Sequence, residues 1–213
     1  MSRRAMLIIL IFISMAVLSS SAQQPPLNWA RRLDSGDGPE SVTNLQFYFH
    51  DLPGGKNPTA VQVVKPASSG TSINSFFGSV AMADDALTES ADAGSKVVGR
   101  AQGLYGFDSQ SDLTLMMSMS YVFTDGPYSG SSLSVVGRNP TMDTNRELPV
   151  MGGTGLFRMA RGYALLRTVS LDASGDAVVY YNVTVHAPAS NYANAQIISP
   201  AGGGGGAPAL LRR

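Results

Sequence analysis

Between Asn44 and Ala187 the chain is made of short period-two segments rich in Val, Tyr, Phe and Thr, cut by clusters of Gly, Pro, Asp and Asn. No long stripe of helical spacing interrupts them, so the pattern admits little besides an antiparallel β-structure. Strands are expected near 44–50, 59–65, 76–83, 95–107, 113–123, 131–138, 156–169 and 176–186. Turns are expected at Asp51-Leu-Pro-Gly-Gly55, Asp125-Gly-Pro127 and Asp172-Ala-Ser-Gly175. Eight strands in this span predict an all-β fold, an eight-stranded antiparallel β-barrel with a central ligand cavity. Closure removes exposed strand edges, and a barrel of this size holds either side chains or one small ligand. A sandwich of seven or eight strands is the alternative.

Residues two apart share a face of a strand. In the first strand Leu45, Phe47 and Phe49 point one way and Asp51 continues their phase, so a carboxyl ends an apolar row. In the fourth strand Val97, Gly99, Ala101, Gly103, Tyr105 and Phe107 align, opposite Val98, Arg100, Gln102 and Leu104. Leu113, Leu115, Met117, Met119, Tyr121 and Phe123 form the next inward stripe, followed by Leu133, Val135, Gly137 and Asn139. In the last strand Val179, Tyr181, Val183 and Val185 oppose Tyr180, Asn182 and Thr184. Together the inward residues outline a pocket.

The ends read differently. Arg3-Arg4, an apolar run from Ala5 to Leu18 and small residues up to Ala22 form a secretory signal over residues 1–22. The run falls short of the ~20 apolar residues that a membrane helix needs. Secretion, with an extracellular location, is the expectation. Asn182-Val183-Thr184 is a glycosylation sequon, which the strand phase places outside at Asn182. Residues 23–43 are polar and Pro/Gly-punctuated and are expected to be loosely held, with Trp29 packing locally, and residues 188–213 end in a Gly-rich tail expected to be disordered. Fifteen basic and fifteen acidic residues give no footprint for nucleic acid. No cysteine and only two histidines, His50 and His186, argue against a thiolate nucleophile, a disulfide framework or a multi-His metal site.

Seven blocks stand in order along this chain: Phe47-Tyr-Phe-His-Asp51, Asn57-Pro-Thr-Ala60, Phe77-Gly78, Asp84-Asp-Ala-Leu-Thr88, Val98-Gly-Arg-Ala-Gln-Gly-Leu-Tyr105, Val136-Gly-Arg-Asn-Pro140, and Arg146-Glu-Leu-Pro-Val-Met-Gly-Gly-Thr-Gly-Leu-Phe-Arg158 continued by Ala160-Arg-Gly-Tyr163. From about Leu45 to His186 they resemble the plant dirigent proteins. The resemblance implies a secreted barrel, commonly a homotrimer in the cell-wall space. It implies binding of a phenolic radical or quinone methide and control of the stereochemistry of its coupling or cyclisation. It implies no metal or redox cofactor, the radical coming from a separate oxidase or peroxidase.

The resemblance carries pocket roles onto Asp51, Tyr105 and Arg146. A carboxyl in a low-dielectric pocket holds its proton and can protonate a quinone-methide oxygen, and a guanidinium fork suits a phenolate. Phe49, Phe107, Asp85 and Asn139 are expected to contact substrate. Asn139 departs from relatives that have Asp at the matching place, and an amide cannot serve as an acid. Each residue also has a structural reading: Asp51 as a turn cap, Tyr105 as a core tyrosine, Arg146 paired with Glu147 or Asp143. His50, in the opposite phase from Asp51, is expected to be structural. Asp84 and Asp85 are expected on opposite faces, Met116, Met117 and Met119 in the core, and Gly152-Gly-Thr-Gly155 as a turn. The leading expectation is stereoselective guidance of phenoxy-radical coupling. A cofactor-free dehydrating cyclase and a passive carrier of phenolics are the alternatives.

Overall fold

The computed structural model describes residues 29–33, 39–66 and 75–192. Its strands are β1 (Ala30–Leu33), β2 (Glu40–Asp51), β3 (Ala60–Val64), β4 (Val80–Thr88), β5 (Val97–Phe107), β6 (Thr114–Phe123), β7 (Ser132–Pro140), β8 (Arg146–Thr154), β9 (Arg161–Leu171) and β10 (Ala177–Pro188). Eight of these form a closed antiparallel barrel in the order β2-β10-β9-β8-β7-β6-β5-β4, with β4 pairing back onto β2. The closing seam is short: Tyr48, Phe49 and His50 face Thr88, Leu87 and Ala86. Where β2 and β4 diverge from that seam, β1 pairs with β2 at Val42–Leu45 and β3 with β4 at Val80–Ala83. These two short strands cover backbone that would otherwise be an open edge.

The period-two stripes are the barrel lining. Leu45, Phe47, Phe49, Met117, Met119, Tyr121, Phe123, Leu133, Val135, Val179, Tyr181, Val183 and Val185 are all buried. At mid-height Phe47 stacks on Tyr181 with centroids 5.5 Å apart, and Tyr121 meets both edge-on at 5.7 and 5.4 Å. Each such pair contributes about 0.5–1.5 kcal/mol beyond its buried area. One end is closed by a second aromatic group, Trp29, Phe123, Tyr128 and Phe157, with centroid separations of 5.4–5.9 Å.

Several local expectations change. The stretch 59–65 is the side strand β3, whereas Arg146–Thr154, not expected as a strand, supplies the eighth stave. Pro149 and the glycines that follow obscure that strand in the sequence. Its ladder explains how they are tolerated: β8 pairs with β9 over Arg146–Val150 and with β7 over Val150–Thr154, changing neighbours at Val150. Pro149 therefore lies beyond the β7 ladder, where a missing N–H is not required. Gly152–Thr154 close that strand, and the turn expected there is the 3-10 turn Gly155–Phe157.

Val98 was expected to face outward, yet it is fully buried while Val97 is 46% exposed. The cause is a bulge: Leu87 faces Gly99 but Thr88 faces Val97, so the phase of β5 slips by one residue there. Met116 points outward with 43% exposure, whereas Met117 and Met119 are core. The segment before Asn44 contributes β1, a buried Trp29 and the first residues of β2. Residues 188–192 are held by Asn191, which donates to the Leu156 and Arg158 carbonyls. The secretory signal expected over residues 1–22, and residues 193–213 of the tail expected from 188 onward, lie outside the described residues. Among the described residues, no helix is long and apolar enough to cross a membrane.

Candidate active site at one mouth of the barrel

Adjacent staves run in opposite directions, so strand polarity sorts the inward polar residues by height. The C-terminal ends of β2, β5, β7 and β9 and the N-terminal ends of β4, β6, β8 and β10 meet at one mouth. Asp51 ends β2, Tyr105 and Phe107 end β5, Asn139 is near the end of β7, Arg146 begins β8 and Thr168 is near the end of β9. Residues separated by up to about 120 positions are thereby gathered at the end opposite the Trp29 group.

Two polar groups form there. The Tyr105 hydroxyl donates to Asp51 Oδ1 at 3.1 Å. Burial pushes the Asp51 carboxyl up to about 6; the Tyr105 bond pulls the other way, and Asp176 adds to the rise. Tyr105 is itself held well above its ordinary value, by burial first and then by the Asp51 charge, so its hydroxyl keeps its proton. On the facing staves, Arg146 donates from Nη1 to Asn139 Oδ1 at 3.1 Å and from Nη2 to Thr168 Oγ1 at 2.7 Å. The Arg146–Asn139 bond crosses from β8 to β7 where the backbone ladder between them has already ended at Val135 and Val150. Asn139 also donates to the Met117 sulfur at 3.0 Å. Arg146 is only 4% exposed, its Nε has no partner among the described residues, and burial lowers its pKa. Among the described residues, no carboxylate within 4 Å neutralises it. A buried guanidinium of this kind, with one donor free, is suited to an anionic or phenolic oxygen.

Tyr181, at mid-height, links the groups electrostatically. Burial raises it to about 12, the Arg146 cation opposes the rise, and Asp51 and Asp85 add to it. The Tyr121 hydroxyl beside it meets no partner in strict hydrogen-bond geometry among the described residues, and burial together with its interaction with Tyr181 pushes it well above its ordinary value. Asp85 is fully buried, while its neighbour Asp84 faces out to Arg100 at 2.8 Å, the opposite-face arrangement expected of adjacent strand residues.

Phe49 lines the interior beside Tyr181, at 5.8 Å. Phe107 is half-buried at the rim against Phe76, at 5.2 Å. His50 is buried outside the polar set, bonded to Thr88 Oγ1 at 2.7 Å with its pKa lowered by burial, a structural placement. The Asn182 side chain lies on the outer face, its amide oxygen accepting from Asn44 at 2.6 Å. Neither Glu147 nor Asp143 forms an ion pair with Arg146 within 4 Å. The residues overlooked in the sequence are Thr168 and Thr59. Thr168 sits in a strand whose alternation is weak, and Thr59 precedes β3 in a turn. Among the described residues, no three His, Asp or Glu side chains converge to hold a metal ion.

Comparisons with known proteins agree with this architecture. Residues 42–186 match the family model of dirigent-like proteins. The chain is 52% identical over 181 residues to dirigent protein 23 of Arabidopsis thaliana, covering 84% of this chain and 94% of that one. It is 46% identical over 149 residues to pterocarpan synthase 1 of Glycyrrhiza echinata, covering 68% and 78%. A solved structure of a pterocarpan synthase dirigent protein superposes with a TM-score of 0.66 at 43% identity, over 69% of this chain and 85% of that one. With the ordered motifs, the closed barrel and these relatives in agreement, the chain belongs to the dirigent family.

Proposed function

We propose that this protein directs a phenylpropanoid-type phenolic through a quinone methide to a single stereoisomer, without a metal or redox cofactor of its own. Asp51 acts as the acid, Tyr105 orients it, and Arg146, set by Asn139 and Thr168, holds a phenolic or phenolate oxygen. The observation that carries this reading is the Asp51 carboxyl. It sits at the mouth of an aromatic-lined barrel, bonded to Tyr105, with a pKa near 6, so a large share of it is protonated in mildly acidic solution. The relatives named pterocarpan synthases favour cyclisation over simple coupling. With Asn139 in place of an acid, the reading moves away from furofuran lignans such as pinoresinol.

A second reading rests on the Phe47–Phe49–Tyr181 wall. Phenoxy radicals made by a separate oxidase or peroxidase couple without acid, and an aromatic wall that fixes their faces is sufficient to select one enantiomer. In either reading the protein works outside the cell, with its Asn182 sequon glycosylated, as a homotrimer. The outward Val61, Met82 and Leu104 lie side by side across β3–β5 and offer apolar surface for assembly. Chiral chromatography of products from hydroxylated phenolic precursors and from monolignols, each with and without oxidase, tests the proposal. Enantiomerically enriched cyclised product without oxidase supports the cyclase. Enrichment only with oxidase supports radical guidance, and racemic product throughout defeats both.

A further inference from the structure

Water elimination followed by ring closure moves two protons, and Asn139, the polar neighbour of Arg146, cannot exchange one as an acid. The interior contains a second carboxyl that can. In the seam between β2 and β4 the register runs Tyr48 to Thr88, Phe49 to Leu87 and His50 to Ala86. The β2–β4 ladder ends at His50 and Ala86, and past it Thr59 lies between the residue that follows Asp51 and the two acidic residues of β4. Asp85 is fully buried; its Oδ1 accepts from Thr59 Oγ1 at 2.5 Å and its Oδ2 has no partner among the described residues.

Thr59 is a four-way junction. Its N–H donates to the Leu52 carbonyl at 2.8 Å, its hydroxyl accepts from the Leu52 N–H at 3.2 Å and donates to Asp85, and its carbonyl accepts from the Asp84 N–H at 2.8 Å. It therefore ties the residue after Asp51 to both acidic residues of β4. An unpaired carboxyl oxygen buried this way costs free energy unless it is protonated or meets a ligand.

We propose that Asp85 is the second acid–base group of this site, coupled to Asp51 and held by Thr59 as a positioning residue. This rests on the cyclising reading above. With a phenolic precursor carrying a benzylic hydroxyl, protonated Asp85 gives its proton to the departing hydroxyl, the carbon–oxygen bond breaks and water leaves. The phenolic proton passes to ionised Asp51, which leaves a neutral quinone methide. A second hydroxyl of the same molecule then bonds to the methide carbon and returns a proton to Asp85, while Asp51 returns its own to the carbonyl oxygen. Both carboxyls regain their starting states, one water is lost and no oxidant is consumed.

The order of the two acids supports these roles. Burial raises Asp85 to about 7, Thr59 opposes the rise and the Asp51 charge adds to it, so the mutual repulsion is expressed on the interior member. Between about 6 and 7 the pair holds roughly one proton. The groups facing it are Tyr105 on β5, Tyr121 on β6 and Tyr181 on β10, all proton-holding phenols, with Asp176, just before β10, acting on Asp51 and with Arg100 and Asp84 acting on Asp85 from the outer wall.

The test separates the pair from the reaction. Carbon-13 NMR titration of the aspartate carboxyls in the full protein is expected to show Asp51 and Asp85 titrating as a coupled pair. Asp51→Asn should move Asp85 downward and Thr59→Val should move it upward; independent titration near 4 overturns the pairing whether or not any substrate turns over. In the oxidase-free cyclisation assay Asp85→Asn is expected to lower kcat by about 100-fold or more, the range of general acid–base groups, with KM within about threefold. Thr59→Val should shift the pH profile of kcat, with Thr59→Ser restoring it. A folded Asp85→Asn variant with the unaltered kcat and pH profile overturns the catalytic role. If the unaltered protein forms no cyclised product from any precursor, the cyclising reading fails, and with it the assigned proton steps, while the titration still decides the pair.

Discussion

Asp85→Asn should make the protein more stable in alkaline solution while leaving it almost unchanged in acid. The carboxyl titrates near 3.8 in an unfolded chain and near 7 in the barrel, chiefly because burial disfavours its charge. The folded chain thus binds the Asp85 proton more tightly than the unfolded chain, so stability from this group is complete below about pH 4 and is lost as pH rises through 7. The full difference corresponds to about 4 kcal/mol at pH 8. Relaxation and water penetration around an ionised buried group reduce such penalties, so about 2 kcal/mol is the working figure. Asparagine keeps the volume and the oxygen that accepts from Thr59 and never carries charge. For a chain of this size about 2 kcal/mol raises Tm by about 4–8 °C. Thermal unfolding of both proteins at pH 4.5, 6, 7 and 8 should show Tm values that nearly coincide at the lowest pH and diverge steadily, with the variant higher. A difference independent of pH, or a variant less stable at pH 8, would refute the assignment of Asp85 as a buried, proton-holding acid.

Three further outcomes follow from the geometry. Tyr105→Phe removes the bond that opposes the rise of Asp51, so the limb of the activity–pH profile due to Asp51 should move to higher pH with the fold intact, as checked by kcat against pH and circular dichroism. Arg146→Lys cannot span Asn139 and Thr168 with a planar fork, and should lower stereoselective product by about 10-fold, measured by chiral chromatography; unaltered enantiomeric excess would remove Arg146 from the site. Trp29→Ala empties the aromatic group at the closed end and should cost about 3–5 kcal/mol in denaturant unfolding, whereas a loss below about 1 kcal/mol would mean that end closes without it.

The candidate site was legible where alternation was regular. Asp51 continues the phase of Leu45, Phe47 and Phe49, and Asn139 that of Leu133 and Val135, because a strand without bulges keeps its inward set. Val98 shows the limit: the slip between Leu87 and Thr88 turns it inward, and nothing local distinguishes it from Val97. The β8 strand shows another, since its Pro and Gly residues read as a loop until the switch of neighbours at Val150 is seen.

The sequence by itself determined an all-β antiparallel structure, its aromatic stripes, the family motifs and the shared inward phase of Asp51, Tyr105 and Asn139, because residue type at period two and motif order are local properties. Only the tertiary structure decided which polar residues meet. The contacts of Asp51 with Tyr105, Arg146 with Thr168, and Thr59 with Asp85 depend on register between distant strands and on where each ladder ends, and no local propensity encodes either.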